Sequence, residues 1–279
     1  MLLSRSYAPS PQLAEYIRRF YVFEAELPDQ LVIEDFLLAE TAFIRCLVKG
    51  DWAGEVAPGE WSMPSKTLLF GANAKPFKVR VKGSFNVIGI AIRPSAWRAL
   101  FKRSHGEYAD KLLPLEILWG GLADDIERRL IEAPDDQAKV AAMEAVVARR
   151  IEEIGSPQID PAMARFENIA RNDSTIRISD AASQVGLSVR QFERRCRFHF
   201  GLTPKSVLRR SRFLDMAAAL RGFSSPSERD LAELRYFDQS HLNREFKRFT
   251  HMTPRTFKDA ITPLQTAGLK LREESLGSD

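Results

Sequence analysis

Cysteines, histidines and long apolar runs are all scarce in this 279-residue sequence. The two cysteines, Cys46 and Cys196, stand too far apart to form a Cys-x-x-Cys metal or redox motif, so we expect reduced thiols. No apolar run approaches the roughly 18 to 20 residues that span a bilayer, and residues 1–12 lack the apolar segment of a secretory signal. We therefore expect a cytoplasmic protein that does not engage a membrane.

The charge of the chain is unevenly distributed. Residues 175–260 carry 17 Lys and Arg against 9 Asp and Glu, whereas the whole chain has a net charge of only +4. A basic C-terminal region beside a mildly acidic remainder is the pattern expected of a nucleic-acid-binding module joined to another domain.

The first 120 residues have the pattern of a small antiparallel β structure. The segments 31–38, 42–48, 67–70, 77–82 and 85–92 are rich in β-branched and aromatic residues and are separated by turn residues. These strands predict a small barrel or sandwich. A short helix is predicted within 11–23, and another begins at Pro94.

A helical pattern then replaces the strand pattern. An apolar stripe at three-and-four spacing, Val140, Met143, Val147, Ile151 and Ile154, predicts a helix that packs on its own domain, with a dimer seam as the open alternative. The predicted organisation is a sensor domain at 1–120, a helical connector at 121–157 that could serve dimerisation, and an all-helical domain at 158–262. The remaining residues, 263–279, have little apolar periodicity and are expected to be a frayed tail.

An imperfect repeat occupies residues 178–261. Gly201-Leu202-Thr203-Pro204 returns fifty residues later as His251-Met252-Thr253-Pro254. In each copy the threonine can cap a new helix whose first position is the proline. Two related helical units joined by one linker helix are therefore predicted.

The first unit has the features of a helix-turn-helix. Ser179 is expected to cap a short helix, Gly186 to form the turn, and Ser188 with Gln191 to form the capping box of a second helix. That helix turns Phe192, Cys196 and Phe200 inward. Arginine and glutamine on its outer face can pair with guanine and adenine in a major groove. The candidate DNA contacts of this unit are Ser188, Arg190, Gln191, Arg194 and Arg195.

The second unit begins with a capping box at Ser225 and Glu228. Its recognition helix starts near Asp238 and has Leu242, Phe246 and Phe249 on the inner face. The linker helix, 204–220, has apolar residues available to both units and is expected to hold the two recognition helices about 34 Å apart on one face of DNA. The remaining candidate DNA contacts are Lys205, Gln239, Ser240, Asn243, Arg244 and Lys247.

These motifs resemble the C-terminal domain of AraC/XylS-type transcriptional regulators. The resemblance covers residues 176–258 and implies a regulator that binds double-stranded promoter DNA and RNA polymerase. The N-terminal region, with Tyr7-x-Pro9-Ser10 and Arg93-Pro94, resembles the cupin-like sensor region of some of these regulators, which implies an unidentified small-molecule effector. A homodimer stays open, since the helical connector could supply a dimer seam. The motifs of the C-terminal resemblance are Ala182-x-x-x-Gly186-Leu187-Ser188-x-Arg190-x-x-x-Arg194, Gly201-x-x-Pro204, and Phe237-Asp238-Gln239-Ser240-His241-Leu242-x-Arg244-x-Phe246-Lys247-x-x-x-His251-x-Thr253-Pro254.

The second unit departs from the family pattern. Arg235 and His251 stand where such regulators have glycine, and Leu231 stands where a small alanine is expected. A side chain at a left-handed backbone position costs roughly 1 kcal/mol. We therefore expect the first unit to read bases and the second mainly to position the protein.

Two other functions compete with that of an effector-responsive regulator. A cupin-like enzyme that acts on small molecules would need a metal shell, but of the four histidines only His105 lies before residue 160. We predict no catalytic residues, no metal and no cofactor. The other alternative, an N-terminal domain that serves only for dimerisation or protein binding, stays open. The predicted fold class is α+β, with a small antiparallel β-barrel followed by two helix-turn-helix units.

Overall fold

A computed structural model describes residues 2–38, 40–155, 157–224, 227, 236 and 238–274. The N-terminal part is one antiparallel sheet of eight strands in the order β1-β2-β7-β4-β6-β8, with β3 paired to β7 and β5 paired to β4. The strands are β1 (Leu2–Tyr7), β2 (Ile17–Ala25), β3 (Val32–Leu37), β4 (Phe43–Ala57), β5 (Glu60–Ser62), β6 (Thr67–Phe70), β7 (Phe77–Ile92) and β8 (Leu112–Pro114).

Alternation along the strands gives the sheet two apolar faces. On β2, Phe20 and Val22 belong to one buried cluster, whereas Tyr21 and Phe23 belong to another. Successive side chains of a strand point to opposite faces, so β2 contributes to both clusters, and β4 and β7 do the same. The sheet is therefore buried on both sides.

The first face packs against four helices of the N-terminal region. These are α1 (Trp97–Leu100), α2 (Glu116–Trp119), α3 (Gly121–Glu132) and α4 (Asp136–Ile154). Four residues of the predicted stripe on α4, Val140, Met143, Val147 and Ile151, are buried in this same cluster. The interpretation of that stripe as intramolecular packing is confirmed.

The second face is filled by aromatic side chains. The guanidinium carbon of Arg45 lies 5.0–5.5 Å from the ring centroids of Tyr21, Phe23, Phe43 and Phe70. A cavity beside Phe43 and Phe70 holds only about 10 Å³. The aromatics of this face, including Trp52, Phe70 and Phe85, are core residues.

The prediction of a helix within 11–23 is wrong. Residues 11–16 form turns and Ile17–Ala25 is β2, which pairs with both β1 and β7. The local pattern was compatible with a helix, but two long-range ladders bury almost every residue of this segment. The predicted strands 77–82 and 85–92 are in fact one strand, β7, because its residues pair continuously with three neighbours.

The C-terminal part is helical, as predicted. Glycine 155 ends α4 with φ 91°, and the Asp160 carboxylate caps the next helix by accepting bonds from the backbone N–H groups of Ala162 and Met163. The helices are α5 (Pro161–Asn172), α6 (Ile178–Gln184), α7 (Val189–Phe200), α8 (Pro204–Leu220), α9 (Gln239–Thr250), α10 (Pro254–Asp259) and α11 (Pro263–Glu274).

The expectation of a frayed tail is wrong for residues 263–274. Helix α11 inserts Leu264, Ala267 and Leu271 into the aromatic face of the sheet. One carboxylate oxygen of Asp35, on β3, accepts bonds from the backbone N–H groups at the start of α11, at 2.8 and 3.3 Å. Sequence periodicity missed this helix because its buried positions are set by a partner more than 220 residues away.

Candidate nucleic-acid interface

The first helix-turn-helix unit consists of α6 and α7. The turn between them holds Gly186 at φ 73°, a backbone angle that glycine adopts without strain. The capping box is present: the Ser188 hydroxyl accepts a bond from the Gln191 backbone N–H at 3.3 Å, and the Gln191 side-chain oxygen accepts one from the Ser188 N–H at 3.0 Å. Ser179 is not a cap, because α6 begins at Ile178 with Arg177 at the capping position.

Helix α7 has one buried face and one exposed face. Phe192, Cys196 and Phe200 are buried, and the rings of Phe192 and Phe200 lie 4.7 and 5.2 Å from the ring of Phe166 on α5. This packing fixes the helix along its length. The residues predicted for base readout, Arg190, Gln191 and Arg194, are exposed on the other face.

Gln191 and Arg195 are less available to DNA than their exposure and sequence position suggest. The Gln191 amide oxygen already accepts bonds from the backbone and the hydroxyl of Ser188, so a two-bond contact to adenine would have to break the capping box. Arg195, which is half-buried, pairs with Asp160, with its Nη2 2.6 Å and its Nε 2.8 Å from one carboxylate oxygen.

The Asp160 carboxylate, at the start of α5, contacts the side chains of both Arg195 and His199. Burial by itself raises the pKa of this group, but hydrogen bonds from His199, the Met163 backbone N–H and Arg195 lower it to about 2. Asp160 is therefore ionised at neutral pH and holds Arg195 in a structural ion pair.

Helix α9 is the recognition helix of the second unit. Asp238 caps it by accepting a bond from the His241 backbone N–H, and Phe246 and Phe249 are buried against Phe213 of α8. Leu242, predicted to face inward, is partly buried in the same cluster. The residues Gln239, Ser240, Arg244 and Lys247 are exposed, and Asn243 is half-buried.

The structure tests one of the departures from glycine. His251 ends α9 with φ 61°. This is the left-handed conformation expected from the glycine that the family pattern has at this position. Its ring lies 5.7 Å from that of Phe36 on β3. The predictions for Ser225, Glu228, Leu231 and Arg235 lie outside the described residues.

Helix α8 connects the two units as predicted. It begins at Pro204 with Thr203 as its cap, contributes Val207 and Leu208 to the core of the first unit, and Phe213 and Leu214 to the core of the second. A single helix shared by two cores gives the recognition helices a fixed relation to each other.

A basic groove of about 620 Å³ lies between the two units. The side chains of Lys205 and Arg244, both predicted DNA contacts, line it together with Arg177, Arg209 and Arg212. Arg209 forms an ion pair with Glu245, which is buried on α9. Sequence reasoning missed the last three arginines because their proximity arises only when α6, α8 and α9 pack together.

Within the described ranges, no group of three His, Cys, Asp or Glu side chains is placed to hold a metal ion. Burial raises the pKa of the Cys46 thiol to about 12 despite a hydrogen bond from the Thr67 hydroxyl. In the described part of the chain, no helix is long and apolar enough to cross a membrane.

Comparison with known proteins gave two family matches. Residues 181–260 match a model described as a helix-turn-helix domain, and residues 5–114 match a domain of unknown function, DUF6597. No curated protein matches the sequence.

Several solved structures are similar to this chain at low identity. ToxT from Vibrio cholerae is 10% identical in a 1.65 Å structure, with a TM-score of 0.49 over 90% of this chain and 97% of that chain. A structure of ToxT bound to an unsaturated fatty acid is 12% identical, with a TM-score of 0.46 over 87% and 96%. The AraC-like transcriptional activator CuxR is 11% identical, with a TM-score of 0.28 over 84% and 90%.

The matched range 181–260 runs from within α6 to the residue that follows α10, and so includes the recognition helices of both units. The C-terminal region of this chain is therefore an AraC-type helix-turn-helix domain, and the protein is a DNA-binding transcriptional regulator.

Proposed function

We propose that this regulator reads promoter DNA chiefly through Arg190 and Arg194 of α7. The observation that supports the proposal is the exposed arginine face of a helix whose opposite face is buried and whose first turn is capped. A guanidinium can donate two parallel bonds to the O6 and N7 atoms of guanine, a contact worth about 1–3 kcal/mol of discrimination.

The second unit has a positioning role in this proposal. Lys247 and Lys205 contribute contacts to phosphates, and Gln239, Ser240, Asn243 and Arg244 lie on the face of α9 available to DNA. The side-chain nitrogen of Gln239 donates to the Asn243 oxygen at 3.4 Å, so these two amides partly satisfy each other. The left-handed conformation of His251 at the end of α9 supports the same asymmetry between the units.

The test is a set of alanine variants assayed on an operator selected from a random DNA library. Arg190→Ala and Arg194→Ala should each cost about 1–3 kcal/mol of binding free energy and relax the preference at defined base pairs. Lys247→Ala should weaken binding to all sequences about equally and lower the salt slope by about one. Arg165→Ala, which removes an exposed arginine from α5, is the matched control.

Two further variants decide whether the units differ. If Asn243→Ala and Arg244→Ala change base preference as strongly as the α7 variants do, both units read sequence and the asymmetry is refuted. If no variant on α7 changes base preference, the assignment of readout to Arg190 and Arg194 is wrong.

The proposed effector site is a cavity of about 70 Å³ between the sheet and the helical domain. That volume holds about five water molecules or a small organic ion. Among its described lining residues, five arginines face two glutamates, Glu40 and Glu167, beside the apolar side chains of Phe200, Val207 and Leu214. Arg18 pairs with Glu167, and Arg272 pairs with Asp215 and Glu273. A small anion is the proposed ligand because the buried Arg210, whose pKa burial lowers to about 10, donates to the backbone carbonyl of Glu40 rather than to a carboxylate.

A thermal-shift panel tests the effector site. Short-chain carboxylates such as butyrate should raise the melting temperature and change affinity for the operator, because they bind the native state. The alcohols of matching length, at the same concentration, should do neither. Equal effects of acid and alcohol would contradict the anion assignment.

The proposal has three further parts: a cytoplasmic location, contact with RNA polymerase, and a homodimer. The stripe on α4 is buried in its own domain, so a dimer would have to use another surface. An analytical ultracentrifugation run with and without operator DNA measures the oligomeric state. The proposal assigns no enzymatic activity, in keeping with a family of transcription regulators.

A further inference from the structure

The C-terminal half of the recognition helix α7 is attached to the N-terminal region. The Nδ1 atom of His105 donates a bond to the carbonyl of His199 at 3.0 Å, and the Nδ1 atom of His199 donates one to the carbonyl of Pro94 at 3.1 Å. A Cβ added at Gly106 would lie 3.5 Å from the Arg197 carbonyl, so the backbones also approach closely.

Apolar contacts reinforce this attachment. Phe198 of α7 packs against the main cluster of the N-terminal region, and the ring of Trp97 stacks on His105 with centroids 3.8 Å apart. His199 also lies 3.2 Å from Asp160. All of these groups are buried or half-buried, so α7 and the segment 94–107 form one packed unit.

This packing brings an N-terminal arginine next to the residues proposed to read bases. Arg98, on α1, lines one cleft of about 360 Å³ together with Gln191 and Arg194. Arg98 and Arg194 have no acidic partner within 4 Å among the described residues, and the single carboxylate of the cleft, Asp160, already pairs with Arg195. The Arg98 side chain is exposed. The cleft therefore has positive charge that the protein itself does not neutralise.

We propose that Arg98 binds a phosphate of the DNA whose bases α7 reads, so that the DNA interface extends onto the N-terminal region. The inference rests on the proposed function of α7. DNA backbone is the occupant because the cleft is basic, is continuous with Arg194, and lies beside the recognition helix, where the phosphates of the groove wall pass. Its consequence is that the N-terminal region contributes affinity directly, and that residues 160–262 alone bind DNA more weakly than the full chain.

The experiment measures affinity and salt dependence of the full-length protein. Arg98→Ala is titrated with the selected operator and with an unrelated duplex between 50 and 200 mM salt. Loss of one phosphate contact lowers the slope of log K against log salt by about 0.9, which is roughly an eightfold loss of affinity at 0.1 M salt. We expect the same factor on both duplexes, and Arg98→Lys should retain most of the affinity because it keeps the charge.

Arg128→Ala is the matched control for the loss of one exposed arginine. Arg128 lies on α3, which packs on α2, α4, β4 and β6 rather than on α7. This variant should leave both the affinity and the slope unchanged. The melting temperature of each variant confirms that it is folded.

The outcomes separate this inference from the proposed function. If Arg98→Ala leaves affinity and slope unchanged while Arg194→Ala weakens operator binding, the inference is wrong and the role of α7 stands. If Arg98→Ala changes base preference, Arg98 reads a base and the phosphate assignment is overturned. If neither the native protein nor any variant prefers the operator over the unrelated duplex, the proposed function itself fails.

Discussion

The buried ring of His105 should make this protein lose stability in mild acid. Its Nε2 atom accepts a bond from the Ala72 backbone N–H at 2.9 Å, and its Nδ1 atom donates to the His199 carbonyl, so the bonded ring is neutral. Its pKa is lowered from 6.5 to about 3, with burial as the largest cause and the charge of the nearby Arg210 as a smaller one.

The sign and size of the effect follow from linkage. In the unfolded chain His105 takes up a proton as the pH falls below 6.5, whereas in the folded protein it stays neutral until about pH 3. The free energy of unfolding therefore falls by about 1.4 kcal/mol for each pH unit in this window. Between pH 7.5 and 4.5 the loss is about 3 kcal/mol, a large part of the roughly 5–15 kcal/mol that stabilises a typical domain.

Urea denaturation of the native protein and of His105→Phe, followed by circular dichroism at several pH values, measures the effect. Phenylalanine keeps a ring on Trp97 but cannot titrate, and it leaves the Ala72 N–H and the His199 carbonyl without their partner. At pH 7.5 the variant should be less stable by about 2–6 kcal/mol, at 1–3 kcal/mol for each abandoned group. At pH 4.5 the difference in the free energy of unfolding between the native protein and the variant should be smaller by about 3 kcal/mol. If that difference does not change with pH, the assignment of His105 as a neutral, buried ring is refuted.

Three other substitutions test individual contacts by urea denaturation. His251→Gly should be more stable than His251→Ala by about 1 kcal/mol, because both lose the ring but only glycine relieves the positive φ; equal stabilities would contradict that conformation. Leu271→Ala should cost about 2–5 kcal/mol, since the leucine is buried against the sheet, and a loss below 1 kcal/mol would mean that α11 is not docked. Arg209→Ala should cost about 1–3 kcal/mol by leaving the buried Glu245 carboxylate without its partner, and the double variant with Glu245→Leu should recover part of this; no recovery would contradict the ion-pair explanation.

Features set by neighbouring residues were predictable from the sequence. The capping box at Ser188, the turn at Gly186 and the left-handed end of α9 at His251 all depend on contacts within a few positions, and the structure has each of them. The buried stripe on α4 was equally predictable, because apolar residues at helical spacing indicate which face of a helix is buried.

Features set by distant residues were not predictable. Residues 17–25 became a strand because β1 and β7 pair with them, and α11 is held by Asp35 and by the aromatic face of the sheet. The sequence predicted Arg195 as a DNA contact, but its guanidinium forms an ion pair with Asp160 because α5 packs beside α7. The sequence by itself determined the two capped recognition helices and their exposed arginines, whose cause is local. Only the tertiary structure decided that Arg195 pairs with Asp160 and that Arg98 lies in one cleft with Arg194. Both contacts join residues that are far apart in the sequence, so no local spacing predicts them.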